Sequence, residues 1–314
     1  MNETSPLPQN DDNRLVPASS SGGDGAASPA RPWITVAIVT LCIGIFLALT
    51  AEGSDGSWES LSKWGILPAA AIWDGAYWAL LPCVFVHLAL WHLVLNMSSL
   101  WLLGRRLELA IGHMRFLAFF LIAGFVSSSF QLALGDTTGI GASGVVYAMF
   151  GFKWAARDHF PSFLEILDRR TVRIFVVWLI GCLIATFLEI WEIGNAAHVS
   201  GMLFGGIVAG CFVLKSRRRL MFAALAAMLF CSATQLVWCP WSVTWLSNKA
   251  YHAHASERFS EALALYSRVI QRDPQSAWAY SNRGKVYEAL DDPERAEIDR
   301  KRAREIDPTI ENGD

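Results

Sequence analysis

Charged residues are scarce in this chain. Only 17% of its 314 residues are Asp, Glu, Lys or Arg, against about 25% in an ordinary soluble domain. Hydrophobic residues make up 53%, and they are clustered in runs of about 18–22 residues, long enough to cross a hydrocarbon core of about 30 Å. The formal net charge of -2 provides no basic field that would recruit nucleic acid. The composition therefore indicates a multi-pass membrane protein whose partner is the lipid bilayer and not nucleic acid.

Paired cysteine spacing is also lacking. The six cysteines lie in or beside apolar runs, as small apolar residues do: Cys42, Cys83, Cys182, Cys211, Cys231 and Cys239. We therefore expect neither a disulfide framework nor a metal site, and we expect no cofactor.

The first 32 residues contain little that could be buried. They are rich in Ser, Pro, Asn, Asp, Gly and Ala, a composition that predicts a disordered cytoplasmic tail. A cleavable signal peptide is not expected, because the first apolar run starts late, has no small-residue cleavage site and is long enough to span a membrane.

Seven apolar segments are candidate membrane spans in a predicted membrane domain at 33–238. Their approximate limits are 33–51, 82–103, 115–134, 140–156, 171–190, 196–214 and 219–238. The fourth is short and glycine-rich, which suggests a helix that begins inside the bilayer. If the N-terminus is cytoplasmic, nearly all Lys and Arg residues between spans lie in inside loops. The sequence thus predicts a bacterial-type inner-membrane protein, with an organellar membrane as the alternative, and it places everything after about residue 239 outside.

Histidine and asparagine side chains interrupt the second predicted span. His87, His92 and Asn96 lie in otherwise apolar sequence, and the last two are four residues apart, so both project from one helical face. Interhelical hydrogen bonding would explain any one of them alone. Polar groups inside a membrane are nevertheless costly, and they often mark a functional site.

Small residues surround a serine and a histidine at the start of two further spans. Ser143 opens the fourth span between Gly141 and Gly144, and His198 opens the sixth. Gly201 and Gly205 follow His198 at helical spacing, and they form a face that permits close packing on the fourth span. Packing is the alternative explanation for each small residue. Both spans run inward from the same membrane face, so close parallel packing would bring Ser143 within hydrogen-bond reach of His198.

This convergence of polar groups at one depth predicts a catalytic site. A serine hydroxyl is a weak nucleophile unless an adjacent base removes its proton, and His198 is the candidate base. No carboxylate lies within the spans to orient it, so we expect a Ser–His dyad and not a triad. Tyr147, one turn after Ser143, is the candidate for packing on the imidazole. The candidate oxyanion donors are the Ser143 backbone N–H and the side chains of His92 and Asn96.

These residues resemble the motifs of the rhomboid family of intramembrane serine proteases. The matching motifs are His87-x4-His92-x3-Asn96, Gly141-Ala142-Ser143-Gly144 with Tyr147, Ala197-His198-x2-Gly201-x3-Gly205, and Gly104-Arg-Arg-Leu-Glu108. The resemblance covers roughly residues 33–238. It implies an all-α polytopic helical bundle with a six-helix core plus a seventh span.

The same resemblance implies a role for each matching residue. Ser143 would be the nucleophile, His198 the base, and His92 and Asn96 oxyanion donors. Tyr147 would stack on His198, and a supporting residue, His87, would lie near the outer cavity. One motif departs from the family pattern: the first outer loop usually carries a Trp-Arg pair, whereas this chain reads Trp78-Ala79.

The C-terminal part contains a 34-residue repeat. Asp273-Pro274 recurs as Asp307-Pro308, and Ala262 recurs as Ala296. The spacing resembles about two tetratricopeptide repeats over 248–308, with departure at Arg300, where a large apolar residue is usual. A linker at 239–247 and a tail at 309–314 complete the chain. We expect a protein or peptide partner for the repeats, and a small stabilising helical cap is the alternative.

Taken together, the sequence predicts a serine endopeptidase that hydrolyses peptide bonds in or near transmembrane segments of other membrane proteins. Its substrates should be membrane helices with Gly, Pro or polar residues that unwind readily. A catalytically inactive relative that binds membrane clients is the main alternative, although such relatives typically lose the serine or histidine. A small-solute transporter is less consistent, because no inverted repeat is visible.

Overall fold

The computed structural model describes residues 31–54, 56–191 and 193–310. Residues 1–30 of the predicted N-terminal tail and residues 311–314 of the predicted C-terminal tail lie outside this part of the chain. Helices, turns and loops account for all described residues, and no strand occurs among them. The all-α helical bundle expected from the sequence is confirmed.

Fourteen α-helices make up the described part. They are α1 (Trp33–Ala51), α2 (Trp58–Ser62), α3 (Ala69–Trp73), α4 (Leu90–Ile111), α5 (His113–Gly135), α6 (Ser143–Ala156), α7 (Pro161–Leu164), α8 (Arg169–Phe187), α9 (Asn195–Val213), α10 (Arg218–Val237), α11 (Val243–Ala255), α12 (Phe259–Arg272), α13 (Ala277–Ala289) and α14 (Pro293–Ile306). The seven longest helices before residue 239 correspond to the seven predicted spans.

Within the described residues, five helices are long and apolar enough to cross a membrane: α1, α5, α8, α9 and α10, the last with its preceding short turn. α4 has sufficient length, but polar groups such as Asn96 and Arg105 lower its mean hydropathy. α6 has only 14 residues and is therefore about 21 Å long. Nearly all of α6 is buried, so it lies inside the bundle and does not need to match the bilayer thickness.

The predicted start of the second span, at residue 82, is wrong. Pro82–Val84 forms a 3-10 turn, and α4 begins only at Leu90 after an extended residue, Ala89. Cys83 and Val84 are buried within the protein. The apolar run therefore reflects burial inside the protein and not contact with lipid. Because α4 begins only at Leu90, His87 lies in the segment before α4 and not on the helix.

Small residues set the distance between α6 and α9. A Cβ atom added at Gly201 would collide with the backbone carbonyl of Gly144, and one added at Gly205 would collide with that of Ala148. The two helices consequently approach with their backbones in contact. This is the close parallel approach that the glycine spacing predicts.

A buried carboxylate, that of Glu108, joins the start of α1 to the C-terminal part of α4. Glu108 accepts hydrogen bonds from the backbone N–H groups of Ile34 (2.9 Å) and Thr35 (2.8 Å), and from the Thr35 hydroxyl (2.6 Å). His113 Nδ1 lies 2.5 Å from the same carboxylate. Gly104 leaves room for Thr35 against α4. The Gly104-x3-Glu108 motif thus holds the N-terminus of α1, whose first N–H groups have no intrahelical acceptor.

Helices α11–α14 form two antiparallel pairs after α10. α11 begins at Val243, inside the segment predicted as a linker, because Ser242 caps it by accepting a hydrogen bond from the N–H of Trp245 (2.9 Å). Arg283 of α13 and Asp299 of α14 form a bidentate ion pair at 2.7 and 2.8 Å. Arg300 pairs with Glu288 of α13. An ion pair therefore links the two helices where the repeat pattern usually has an apolar contact.

Candidate active site

The structure brings Ser143 and His198 together. Ser143 is the first residue of α6, and His198 lies in the first turn of α9. The imidazole Nε2 of His198 is 2.8 Å from the hydroxyl oxygen of Ser143. His198 is buried, with 4% of its surface exposed, whereas Ser143 is half-buried. The backbone contact between α6 and α9 fixes this separation, because both residues lie at the start of helices that pack side by side.

A glycine with a left-handed backbone shapes the turn that enters α6. Gly141 has a φ of 106°, a conformation that residues with a Cβ rarely adopt. Its N–H donates to the carbonyl of Cys83 at 2.8 Å. A Cβ at this position would lie 2.5 Å from Cε1 of His92 and 2.9 Å from its Nε2. The absent side chain therefore allows the imidazole of His92 to lie directly against the segment before the nucleophile.

The ring of Tyr147 packs against the imidazole of His198. The rings of Tyr147 and His198 have centroids 4.7 Å apart and are tilted by 33°. The Tyr147 hydroxyl donates to the carbonyl of Phe175 on α8 at 3.1 Å, which fixes the phenol ring. Among the described residues, no group hydrogen-bonds the buried Nδ1 atom of His198. The contact that the described structure gives this imidazole, apart from Ser143, is the ring of Tyr147.

His87 supports the segment that carries the nucleophile. It is fully buried, its Nδ1 lies 3.3 Å from the carbonyl oxygen of Phe85, and its Nε2 accepts a hydrogen bond from the N–H of Ala142 at 3.4 Å. One tautomer satisfies both contacts: Nδ1–H donates to Phe85, and Nε2 accepts from Ala142. Its ring also meets the edge of the His92 ring at 5.1 Å.

The candidate oxyanion donors lie on α4 and at the N-terminus of α6. Ser143 and Gly144 belong to the first turn of α6, where backbone N–H groups have no intrahelical acceptor. Asn96 is buried, and its amide donates to the backbone carbonyl of His92 at 3.1 Å. Its side chain is thus held one turn along α4 from the His92 imidazole. Among the described residues, no three His, Cys, Asp or Glu side chains converge as metal ligands would.

Gln131 and Ser127, which the sequence analysis does not single out, also shape this site. The side-chain oxygen of Gln131 accepts a hydrogen bond from the N–H of Ala197 at 3.2 Å, so it caps the helix that carries His198. Ser127 fills the space beside Gly144. Gln131 is buried and lies within an apolar run of the sequence. A polar group inside a membrane is costly, so this position could have been singled out from the sequence.

The fold and the site define a class: a polytopic helical membrane protein with a Ser–His pair buried between two closely packed helices. The family model described as Rhomboid domain matches residues 74–216, and the model described as TPR repeat matches residues 253–291. The predicted membrane domain at 33–238, which we call the rhomboid domain, is therefore similar to that family over residues 74–216, and the C-terminal region is similar to a tetratricopeptide repeat over residues 253–291. Both predicted resemblances are confirmed.

Three curated relatives carry the name Rhomboid protease GlpG. Those of Yersinia pseudotuberculosis serotype I (strain IP32953), Yersinia pestis (strain Pestoides F) and Serratia proteamaculans (strain 568) are each 29% identical over 184 residues. The matched region is 58% of this chain and 63% of each relative. The chain thus spans less than two thirds of the length of these relatives.

Proposed function

We propose that this chain is an intramembrane serine endopeptidase that hydrolyses peptide bonds in or near the transmembrane segments of other membrane proteins. The observation that carries the proposal is the 2.8 Å separation between Nε2 of His198 and Oγ of Ser143. A hydrogen bond of this length lets the imidazole take the hydroxyl proton as the oxygen attacks.

The reaction follows from the positions of these groups. Ser143 Oγ attacks the scissile carbonyl carbon while its proton passes to Nε2 of His198. The resulting oxyanion lies near the N-terminus of α6, where the Ser143 N–H donates to it, with His92 and Asn96 as side-chain donors. His198 then protonates the leaving amine as the C–N bond breaks, leaving an acyl-enzyme. Water attacks this ester with His198 again as base, and Ser143 regains its proton.

The burial of the helices supports a membrane-embedded substrate. Along α8 only Cys182 is buried, and α8 meets the site through the Tyr147–Phe175 hydrogen bond. A helix that buries so little of itself can separate from the bundle more readily than α6 or α9. We propose that a substrate helix reaches Ser143 from this side, and that helices with Gly, Pro or polar residues are cut in preference.

We also propose an orientation of the chain in the membrane. The N-terminus lies in the cytoplasm and the repeat region on the opposite side of a bacterial inner membrane, as the positive charges of the loops predict. Cysteine-accessibility labelling of intact cells, with single cysteines at exposed positions of the repeat region, tests this arrangement. Labelling only after permeabilisation would contradict it.

Cleavage of a single-span substrate in liposomes tests the activity. Ser143→Ala and His198→Ala should each cleave at least about 10³-fold more slowly than wild type, because nucleophile and base act as a unit. Equal cleavage by wild type and Ser143→Ala would exclude this nucleophile. Stable binding of several helix-destabilised substrates without any cleavage would instead favour the client-binding alternative.

A further inference from the structure

The repeat region is joined to the rhomboid domain by more than the chain connection at residues 238–242. Its first helix, α11, contacts α3, and Trp241, just before α11, contacts the last turn of α5. Two loop carboxylates accept hydrogen bonds from it, Asp74 and Asp136. Asp136 directly follows α5, and the segment after it leads to Ser143.

Asp136 binds the N-terminus of α11. Its carboxylate accepts hydrogen bonds from the hydroxyl of Ser242 and from the backbone N–H groups of Val243 and Thr244, both at 3.3 Å. A carboxylate is stabilised there because the first N–H groups of a helix are unsatisfied and the helix dipole is positive at that end. Asp136 thus completes the cap of a 13-residue helix that begins more than 100 residues later in the chain.

Asp74 binds the side of the same helix. It accepts hydrogen bonds from Asn248 Nδ2 at 3.1 Å and from His252 Nε2 at 2.7 Å. These two donors are four residues apart and therefore lie on one face of α11. The Asn248 amide also donates to the carbonyl of Ala70 at 3.3 Å. Two contacts one turn apart fix the rotation of α11 as well as its position.

An apolar core is shared between the repeats and the rhomboid domain. One buried cluster contains side chains of α3, α5, α10, α11 and α12: Ile72, Trp73, Leu132, Leu236, Leu246 and Val269. Beside it, the indole N–H of Trp241 donates to the carbonyl of Ala133, in the last turn of α5, at 2.9 Å. The repeats cannot tilt away without exposing these apolar side chains to water.

The segment from Asp136 to Ala142 transmits this contact to the nucleophile. It contains no helix or strand and is only seven residues long. At its far end, Gly141 donates to the carbonyl of Cys83 and Ala142 donates to His87. Both ends of this short segment are therefore held by hydrogen bonds, and it is the direct chain connection between Asp136 and the turn that enters α6.

We propose that the repeat region is docked as a fixed part of the protease, and that this docking positions Ser143 through the Asp136–Ser242 contact. Asp136 is then a positioning residue, and the repeats contribute to the reaction rate as well as to any partner binding. The rate effect rests on the proposed function, whereas the docking does not.

The test compares Asp136→Ala, Ser242→Ala and the double variant in the full chain in liposomes. Hydrogen exchange of the amides in the first turn of α11 reports docking, and the rate of labelling of Ser143 by a fluorophosphonate probe reports the reactivity of the nucleophile. Each single variant should speed the exchange. Each should also slow the labelling of Ser143 by about tenfold, the size of effect expected for the loss of one hydrogen bond to a charged group. The double variant should be no slower than the slower single one, because both remove the same contact.

Two further variants control for a general loss of structure. Ser276→Ala removes an equivalent cap, since Ser276 Oγ accepts a hydrogen bond from the N–H of Ala279 at 3.3 Å on α13, and it should leave labelling unchanged. Ser242→Thr keeps the hydroxyl and should label at the wild-type rate. With a peptide substrate, the Ser242→Ala loss should appear in kcat and not in KM.

Each remaining outcome overturns a stated part of the proposal. Unchanged exchange at α11 in Asp136→Ala would overturn docking, whereas Ser242→Ala also removes the local cap of α11 and speeds exchange for that reason alone. Faster exchange with an unchanged labelling rate in Ser242→Ala would overturn the positioning role, even if Asp136→Ala failed to fold. A wild-type chain that neither labels nor cleaves would overturn the proposed function and the positioning role together, while the exchange measurement would still decide the docking.

Discussion

Two adjacent glycines on α9 permit a sharp test of how the Ser–His pair is held. A Cβ at Gly205 would collide with the carbonyl oxygen of Ala148, one turn beyond Ser143 on α6. A Cβ at Gly206 would find its nearest neighbour, the carbonyl oxygen of Gly151, 4.0 Å away. Gly205→Ala and Gly206→Ala are therefore the same chemical change on the same helix, with and without a collision.

The expected magnitudes follow from two opposed terms. Replacing a helical glycine by alanine stabilises a helix by roughly 0.5–1 kcal/mol, and this gain applies at both positions. Overpacking at a close contact costs typically 1–3 kcal/mol, and this cost applies only at Gly205. Gly206→Ala should thus be neutral or slightly stabilising, whereas Gly205→Ala should be destabilising by up to about 2.5 kcal/mol, the larger cost less the smaller gain.

Activity should be more sensitive than stability. His198 lies two turns before Gly205 on α9, so a shift that relieves the collision also moves the imidazole away from Ser143. A misplacement of about 1 Å can cost about 10²-fold in rate. The assay is thermal unfolding in detergent together with fluorophosphonate labelling of Ser143. Equal stability and equal labelling of Gly205→Ala and Gly206→Ala would refute the view that backbone contact between α6 and α9 sets the Ser–His distance.

Two buried polar residues yield further predictions. Gln131→Leu leaves the N–H of Ala197 without its acceptor, so we expect a loss of about 1–3 kcal/mol and slower labelling of Ser143; Gln131→Glu keeps an acceptor and should label faster than Gln131→Leu. Glu108→Gln replaces a carboxylate that accepts four hydrogen bonds, so we expect a loss of at least about 1.5–3 kcal/mol in thermal unfolding, with faster hydrogen exchange in the first turn of α1. An unchanged exchange rate there would contradict this account of Glu108.

Much of the candidate site could be predicted because placing polar side chains inside a membrane costs free energy. A serine among glycines and a histidine three residues before a row of glycines can each be explained by helix packing, but their common depth does not follow from packing alone. The distance between Ser143 and His198 then depended on glycine spacing, which the sequence displays directly. The stacking of Tyr147 followed from its position one turn after Ser143.

Hydropathy was a poor guide where apolar residues are covered by protein. The run from residue 82 looks like membrane sequence, yet Cys83 and Val84 are buried in the bundle and the helix begins only at Leu90. The same reasoning explains why α6 can be only 14 residues long. A helix surrounded by other helices does not need to match the thickness of the bilayer, so length and hydropathy carry less information about it.

The docking of the repeats could not be predicted, because each contact joins residues far apart in the sequence. Asp74 and Asp136 look like ordinary loop acids, and nothing local marks their partners on α11. Ala79 gives one retrospective signal. Where the resembling family usually has arginine, this chain has an alanine with 1% exposure, in the same apolar cluster as Leu80, Trp245 and Leu246. An arginine there would bring a charge into a core that the repeats help to close, at a large desolvation cost. The departure from the family pattern and the contact with the repeats are therefore physically linked: the apolar contact with α11 holds the segment between α1 and α4 in this chain.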